Sequence, residues 1–136
     1  FNKWKQDFMF SERIKNIVDS EIIQNSDFVN IDKSDIEQFK RNVDKVELEL
    51  IECRTEDIAL MFKNTLSKII AESVKYKLSK LLFVIKTSKE SLITMNDLSF
   101  ITEIEECDGG IVWGMSIDRR LPQNKVKIII LCGFNY

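Results

Sequence analysis

The chain has no histidine, and its three cysteines are too far apart to form a Cys-x-x-Cys pair. Structural zinc sites are built mainly from cysteine and histidine, and serine or cysteine nucleophiles usually need a basic partner such as histidine. The sequence therefore argues against a metal site and against a Ser-His or Cys-His nucleophile. Free thiols at Cys53, Cys107 and Cys132 suit a reducing compartment, so we expect a cytoplasmic protein.

Glycine and proline are also scarce, with four and one among 136 residues. No glycine-rich loop of the kind that cradles phosphates is present. The longest apolar runs, Leu81–Ile85 and Ile128–Cys132, are too short to cross a bilayer, so no direct membrane insertion is expected. The 20 basic residues are interspersed with 22 acidic ones. Because nucleic-acid binding needs clustered positive charge, no nucleic-acid partner is expected.

Helical patterns occur in four places. Residues 8–23 place Phe10, Ile14, Ile17, Val18 and Ile22 on one face of a helix. Ser34 with Glu37 has the spacing of a capping box at the start of a short helix. Thr55-Glu56-Asp57 opens the longest helix, and Thr94–Asp97 opens another, whose buried face is formed by Leu98, Ile101 and Ile104.

Four segments have strand patterns. Residues 45–52 begin with strict alternation, which is typical of a strand near a sheet edge. Residues 81–85 are apolar throughout, as in a strand buried on both faces. Residues 111–118 and 125–132 flank a short loop at 119–124 and are expected to form a closing hairpin, with Trp113 in the core. The order β-α-β-α-β-β predicts an α+β two-layer fold with a mixed four-stranded sheet packed with helices.

Two stretches resemble FtsZ, the bacterial relative of tubulin. Residues 110–118 and 125–134 are similar to the closing hairpin of that family, which runs I-x-G-x-x-I-D and then V-x-V-T-V-I-A-T-G-F. Residues 29–36 are similar to its synergy loop, I-N-x-D-F-A-D-V. Thr55–Ala59 occupies the place of a family helix start, G-E-x-R-A. The element order agrees over almost the whole chain, from Phe8 to Phe134.

The resemblance implies the C-terminal half of a filament-forming cell-division GTPase. Residues 1–27 would be the remnant of the core helix and its connection, and residues 28–136 the C-terminal domain, without the N-terminal nucleotide-binding domain. GTP, together with Mg²⁺, would be bound by that domain in a neighbouring subunit of a protofilament. Asp32 and Asp35 would orient the attacking water, and Asn30 would contact the nucleotide. Self-assembly through the synergy loop would then complete the hydrolysis site.

The sequence departs from the family pattern in two places. Lys33 replaces the usual phenylalanine of the synergy loop, and Lys86-Thr87-Ser88-Lys89 replaces the glycine-rich turn I-T-G-G after the central strand. An Asn-x-Asp-x-x-Asp run before a helix is also ordinary capping chemistry. A stand-alone interaction module with the same fold, without GTPase activity, therefore stays open beside the shared-site GTPase.

Overall fold

The computed structural model describes residues 11–23, 31–91, 93–104, 107 and 109–136. It contains three α-helices, α1 (Glu12–Ile17), α2 (Lys33–Lys40) and α3 (Ile58–Glu72), within these ranges. A π-helical segment, Val18–Ile22, continues α1, and short 3-10 segments cover Thr55–Asp57 and Ser99–Glu103. The strands are β1 (Lys45–Arg54), β2 (Lys77–Thr87), β3 (Ile111–Ile117) and β4 (Lys125–Asn135).

The four strands form one mixed sheet in the order β1-β4-β2-β3. Strand β4 runs antiparallel to both β1 and β2, whereas β2 and β3 are parallel. The predicted α+β class and mixed four-stranded sheet are confirmed, as is the edge position of β1. The first three strands share one direction, as the β-α-β interpretation required.

The predicted closing hairpin is wrong, because β4 does not pair with β3. It lies between β1 and β2, and every residue from Ile128 to Phe134 is buried. A strand that is apolar on both faces is stabilised by neighbours on both edges as well as by packing on both faces. The two central strands are therefore the two with continuous apolar runs, and β3 takes the outer edge.

Helical segments contact both faces of the sheet. On one face, α3 and the Ser99–Glu103 segment cover Phe83, Ile85 and Ile130, and the ring of Phe62 lies 4.8 Å from Phe83 and 4.9 Å from Phe100 between centroids. The opposite face packs against α1, the π-helical segment and α2, in a cluster of buried residues: Ile14, Val18, Ile22, Ile31, Ile36, Phe39, Leu48, Leu82, Val84, Ile129 and Leu131.

Three local predictions need correction. The helix expected after Thr94 is only a turn followed by the 3-10 segment, although Thr94 and Asp97 do cap each other reciprocally. Phe100 is its buried residue, and the expected Leu98, Ile101 and Ile104 are only half-buried. The longest helix begins at Ile58, because Thr55–Asp57 forms a 3-10 turn.

The remaining helix and core predictions hold in outline. Ile14, Val18 and Ile22 are buried as expected, whereas Ile17 is half-buried and Phe10 lies outside the described residues. Trp113 is also half-buried, with its ring stacked at 6.3 Å from Phe83 against the core. No helix in the described part of the chain is long and apolar enough to cross a membrane.

Candidate functional site

The candidate site lies where α2 begins. Asp32 is the N-cap residue of this helix, and its Oδ1 accepts a hydrogen bond from the amide of Asp35 at 3.0 Å. In return, Oδ2 of Asp35 accepts from the amide of Asp32 at 3.0 Å. The sequence had assigned the capping box to Ser34 and Glu37, and this is wrong. The hydroxyl of Ser34 instead donates to Oδ1 of Asp32 at 2.8 Å.

These hydrogen bonds set the charge of the site. The backbone hydrogen bond from Asp35, and next the hydroxyl of Ser34, hold the pKa of Asp32 below its ordinary value of 3.8. Asp32 is therefore a carboxylate at neutral pH and accepts hydrogen bonds. Its side chain is exposed, and that of Asp35 is half-buried. The positive end of the helix dipole also favours negative charge at this position.

The direction of α2 places both carboxylates at one end of the sheet. Strands β1, β2 and β3 end there and β4 begins there, because Arg54 pairs with Lys125, and Thr87 with both Val126 and Ile117. We call this the Thr87 end. The C-terminus of α2 is held towards the other end, where Nζ of Lys80 donates to the carbonyls of Gln38 and Arg41.

The preceding helical segment, α1 with its π-helical continuation, lies beside α2. Ile23 and Lys33 line one cavity of about 330 Å³ together with Lys15, Val18, Asp19, Ile36, Glu37 and Lys40. Asn30, the proposed nucleotide contact, lies outside the described residues. The structure therefore brings Asp32 and Asp35 together and says nothing of the third predicted residue.

Sequence reasoning missed a second group of charges at the same end. Glu21, in the π-helical segment, accepts a hydrogen bond from the almost fully buried Lys86 at the end of β2. Its other oxygen lies 3.4 Å from Nζ of Lys127 on β4 and 3.8 Å from Nη2 of Arg120. Asp118 holds Arg120 through two guanidinium hydrogen bonds and one backbone hydrogen bond.

Glu21 is anionic in this setting. Burial by itself raises the pKa of Glu21, but the hydrogen bond and charge of Lys86, together with Lys127, outweigh it and lower the pKa below 4.5. The guanidinium of Arg120 likewise lowers the pKa of Asp118. The group borders an open cavity of about 390 Å³, which Glu52 and Lys125 also line. A signal for it was present in the sequence, because Lys86 replaces an apolar residue of the family pattern.

The chemistry available at Asp32 and Asp35 is that of hydrogen-bond acceptors. Within the described ranges, no group of three or more His, Cys, Asp or Glu side chains could hold a metal ion. The thiols of Cys53 and Cys132 are buried, and burial raises the pKa of each, so both are poor nucleophiles at neutral pH. Two anionic side chains at a helix start can orient a water or bind a cationic group, but they do not bind phosphate.

The fold is similar to that of solved structures, although no protein-family model and no curated protein sequence matches the chain. Among solved structures, the empty FtsZ dimer of M. jannaschii superimposes with a TM-score of 0.61 and 19% identity, over 90% of this chain and 37% of that one. CetZ from Methanosaeta thermophila gives 0.56 and 16%, over 88% and 33%.

A third solved structure comes from a bacterium. The GDP-form protofilaments of TubZ from Bacillus thuringiensis serovar israelensis give a TM-score of 0.57 and 16% identity, over 90% of this chain and 35% of that one. The chain thus spans about a third of the length of these proteins. It has the fold of the corresponding segment of FtsZ, CetZ and TubZ, consistent with the C-terminal FtsZ/tubulin-like domain that the sequence resemblance predicted.

Proposed function

We propose that this chain is the C-terminal half of a filament-forming GTPase that supplies the synergy loop of a hydrolysis site shared between two subunits. The likeness to FtsZ and to TubZ, which was solved as protofilaments, supports assembly. The observation that carries the proposal is the reciprocal capping of Asp32 and Asp35, which fixes two carboxylates at the start of α2.

Phosphoryl transfer depends mainly on positioning and on electrostatic stabilisation. A carboxylate within hydrogen-bond reach of a water can align that water for attack and accept its proton. The capping box engages Oδ1 of Asp32 and Oδ2 of Asp35, and each carboxylate has a second oxygen that takes no part in it. We therefore assign water orientation to Asp32 and Asp35 together. The capping box holds both side chains at the helix start.

The nucleotide would be bound by the N-terminal domain of the adjacent subunit. GTP and its Mg²⁺ carry the phosphoryl group and neutralise its charge when bound there. The residues described at this site fit that division, because acceptors suit a water and repel phosphate oxygens. Residues 1–27 would then belong to the core helix and its connection, and residues 28–136 to the C-terminal domain. We also assign assembly to the cytoplasm, since no disulfide links the three cysteines among the described residues and thiols persist in a reducing compartment.

The test compares GTP hydrolysis and light scattering for the full-length protein and its Asp35→Asn variant. Asparagine keeps a capping oxygen but loses the charge, so the variant should assemble normally and release phosphate at least tenfold more slowly. Asp44→Asn is the matched control, because Asp44 also accepts a backbone hydrogen bond, from Tyr136 at 2.9 Å, towards the opposite end of the sheet. Equal rates in wild type and Asp35→Asn would refute the catalytic assignment.

One observation favours the alternative of an interaction module without GTPase activity. Both carboxylates already serve the capping box, so α2 alone explains their presence. This alternative predicts no assembly-dependent phosphate release in the full-length protein. Adding the isolated chain to the assembling full-length protein separates the two further. The shared-site proposal expects the chain to cap filament ends and lower the scattering at stoichiometric amounts.

A further inference from the structure

The charged group around Glu21 contains two lysines that lie opposite each other on adjacent strands of the sheet. Lys86 and Lys127 are direct partners across the antiparallel strands β2 and β4. Like charges opposite one another destabilise a sheet, and the side chain of Lys86 is only 4% exposed. Glu21 is the counter-ion that lies between them, and its own side chain is only 17% exposed.

The contacts of Glu21 join the π-helical segment to two strands, β2 and β4, that are far from it in the sequence. Lys86 is 65 residues away and Lys127 is 106 residues away. Glu21 belongs to the π-helical segment whose last turn is closed by a hydrogen bond from the amide of Ile23 to the carbonyl of Val18, at 2.8 Å. The two lysines thus hold the last turn of this helix on the two central strands.

The helical segment that ends in this turn packs along α2. Asp19 and Ile23 on one side and Lys33 and Ile36 on the other line the same cavity. Lys33 directly follows the N-cap Asp32. Ile22 and Ile36 are buried in one cluster. Because the two segments pack on each other, we expect a displacement of the helix end to shift α2, whose start carries Asp32 and Asp35.

We propose that Lys86 and Lys127 are positioning residues that act through Glu21 to set the placement of Asp32 and Asp35 at the shared hydrolysis site. This inference rests on the proposed function. It gives a role to Lys86, one of the residues by which the sequence departs from the family turn. Catalytic rates are sensitive to small displacements, and 1 Å can change a rate by about 100-fold.

The test uses the full-length protein with the double substitution Glu21→Leu and Lys86→Met. Replacing a buried ion pair by apolar residues of similar size is often neutral or stabilising, so this variant should fold. We expect kcat above the assembly threshold to fall at least tenfold. The KM for GTP and the threshold itself should stay within about twofold, because the nucleotide is bound by the other domain. Hydrogen exchange at the amide of Ile23 should become faster.

The matched control is Glu103→Leu with Lys63→Met. This pair is exposed, with Nζ and Oε2 2.9 Å apart, and lies on the other face of the sheet. It should leave kcat and the exchange at Ile23 unchanged. A single Lys86→Met variant gives a second measurement, since Lys127 still neutralises Glu21, and its kcat should be intermediate.

Three results would overturn the inference. If the Glu21→Leu/Lys86→Met protein assembles and hydrolyses GTP like wild type while Asp35→Asn is slow, the ion group only stabilises the fold and the proposed function stands. If kcat falls equally in the control pair, the effect is not specific to Glu21. If the wild-type protein shows no assembly-dependent hydrolysis at all, the proposed function fails and this inference fails with it.

Discussion

Asp32 and Asp35 each accept a hydrogen bond from the other's backbone amide, both at 3.0 Å. This reciprocal relationship satisfies two of the amides that a helix N-terminus leaves without an intrahelical partner. It also means that a substitution at either position changes the stability of α2 as well as the charge of the proposed site. Stability and catalysis have to be measured separately.

The first prediction concerns capping alone. Asp32→Ala removes the acceptor for the amide of Asp35 and should lower the melting temperature by about 2–6 °C. Asp32→Asn retains an acceptor and should lower it much less. Thermal unfolding followed by circular dichroism measures both. Equal losses in the two variants would show that the charge of Asp32, and not its hydrogen bond, stabilises the helix start.

The second prediction concerns pH. The folded pKa of Glu21 is lowered by Lys86 and Lys127 despite burial, so its contribution to stability is fully present above the unfolded pKa, near 4.5. It is lost as pH falls through the lowered folded value. Glu21→Gln leaves Lys86 without its charged partner and should reduce the free energy of unfolding at pH 7 by roughly 1–3 kcal/mol.

Urea denaturation from pH 7 to pH 3 measures this difference. The gap between wild type and Glu21→Gln should shrink as the pH falls, since Glu21 of the wild type becomes protonated. The groups that face Glu21 are Lys86, Lys127, Arg120 and Asp118. Asp118 also has a lowered pKa, and it is present in both proteins. An exposed control, Glu72→Gln, is measured in parallel to show the effect of removing a carboxylate outside this ion group. A gap that does not change with pH would contradict the ion-pair interpretation.

Local contacts in this chain could be predicted from its sequence, and long-range contacts could not. Asp32 is a helix cap because of residues within three positions of it, so the sequence was enough to predict a helix start here, although it assigned the capping box to Ser34 and Glu37 instead of Asp32 and Asp35. The partners of Glu21 are 65 and 106 residues away, and no local pattern pairs them. The charge of Lys86 at the end of an apolar strand was visible in the sequence. Its counter-ion could not be predicted, because the position of Glu21 depends on how α1 and the π-helical segment pack on the sheet.

Strand order shows the same division. Alternation and apolar runs were enough to identify all four strands, yet the predicted hairpin of β3 and β4 was wrong. Proximity in sequence favoured pairing of the two strands, whereas burial favoured β4 in the centre. The run Ile128–Cys132 is fully buried, while Val112 on β3 is 38% exposed. Burial of the apolar run in β4 decided the strand order. The edge is formed by β3, which has less apolar surface to bury.

The third prediction concerns Thr55, which is only 9% exposed. Its hydroxyl is buried without a hydrogen-bond partner among the described residues. Burying such a group costs free energy that an isosteric methyl group does not. Thr55→Val should therefore raise the free energy of unfolding by about 1 kcal/mol. Urea denaturation at pH 7 measures it.

The matched control for this substitution is Thr94→Val. The hydroxyl of Thr94 accepts from the amide of Asp97 at 3.3 Å and donates to its carboxylate at 3.0 Å. The same change should therefore destabilise the chain there, by about 0.5–2 kcal/mol. A loss of stability at both threonines would mean that the hydroxyl of Thr55 has a partner that stabilises the fold.

The last prediction concerns the close approach of β4 to the segment after α2. A Cβ added at Gly133 would lie 2.9 Å from Cγ1 of Val43, and 3.4 Å from both Cζ of Phe39 and Cβ of Lys80. Gly133→Ala should cost about 1–3 kcal/mol through overpacking. Val43→Ala removes the nearest methyl group and costs roughly 2 kcal/mol by itself. Combined, the two should cost less than their sum, with a coupling of at least about 0.5 kcal/mol.

Gly110→Ala supplies the control for this double-mutant cycle. Gly110 has φ of +108°, and among the described residues no atom beyond its chain neighbours lies within 4 Å of an added Cβ. The substitution is therefore strained by the backbone and not by a neighbour. Its cost should add to that of Val43→Ala without coupling. Urea denaturation of the six proteins decides the matter: additivity at Gly133 would mean that the strand moves to admit the methyl group, and that contact with Val43 does not fix β4.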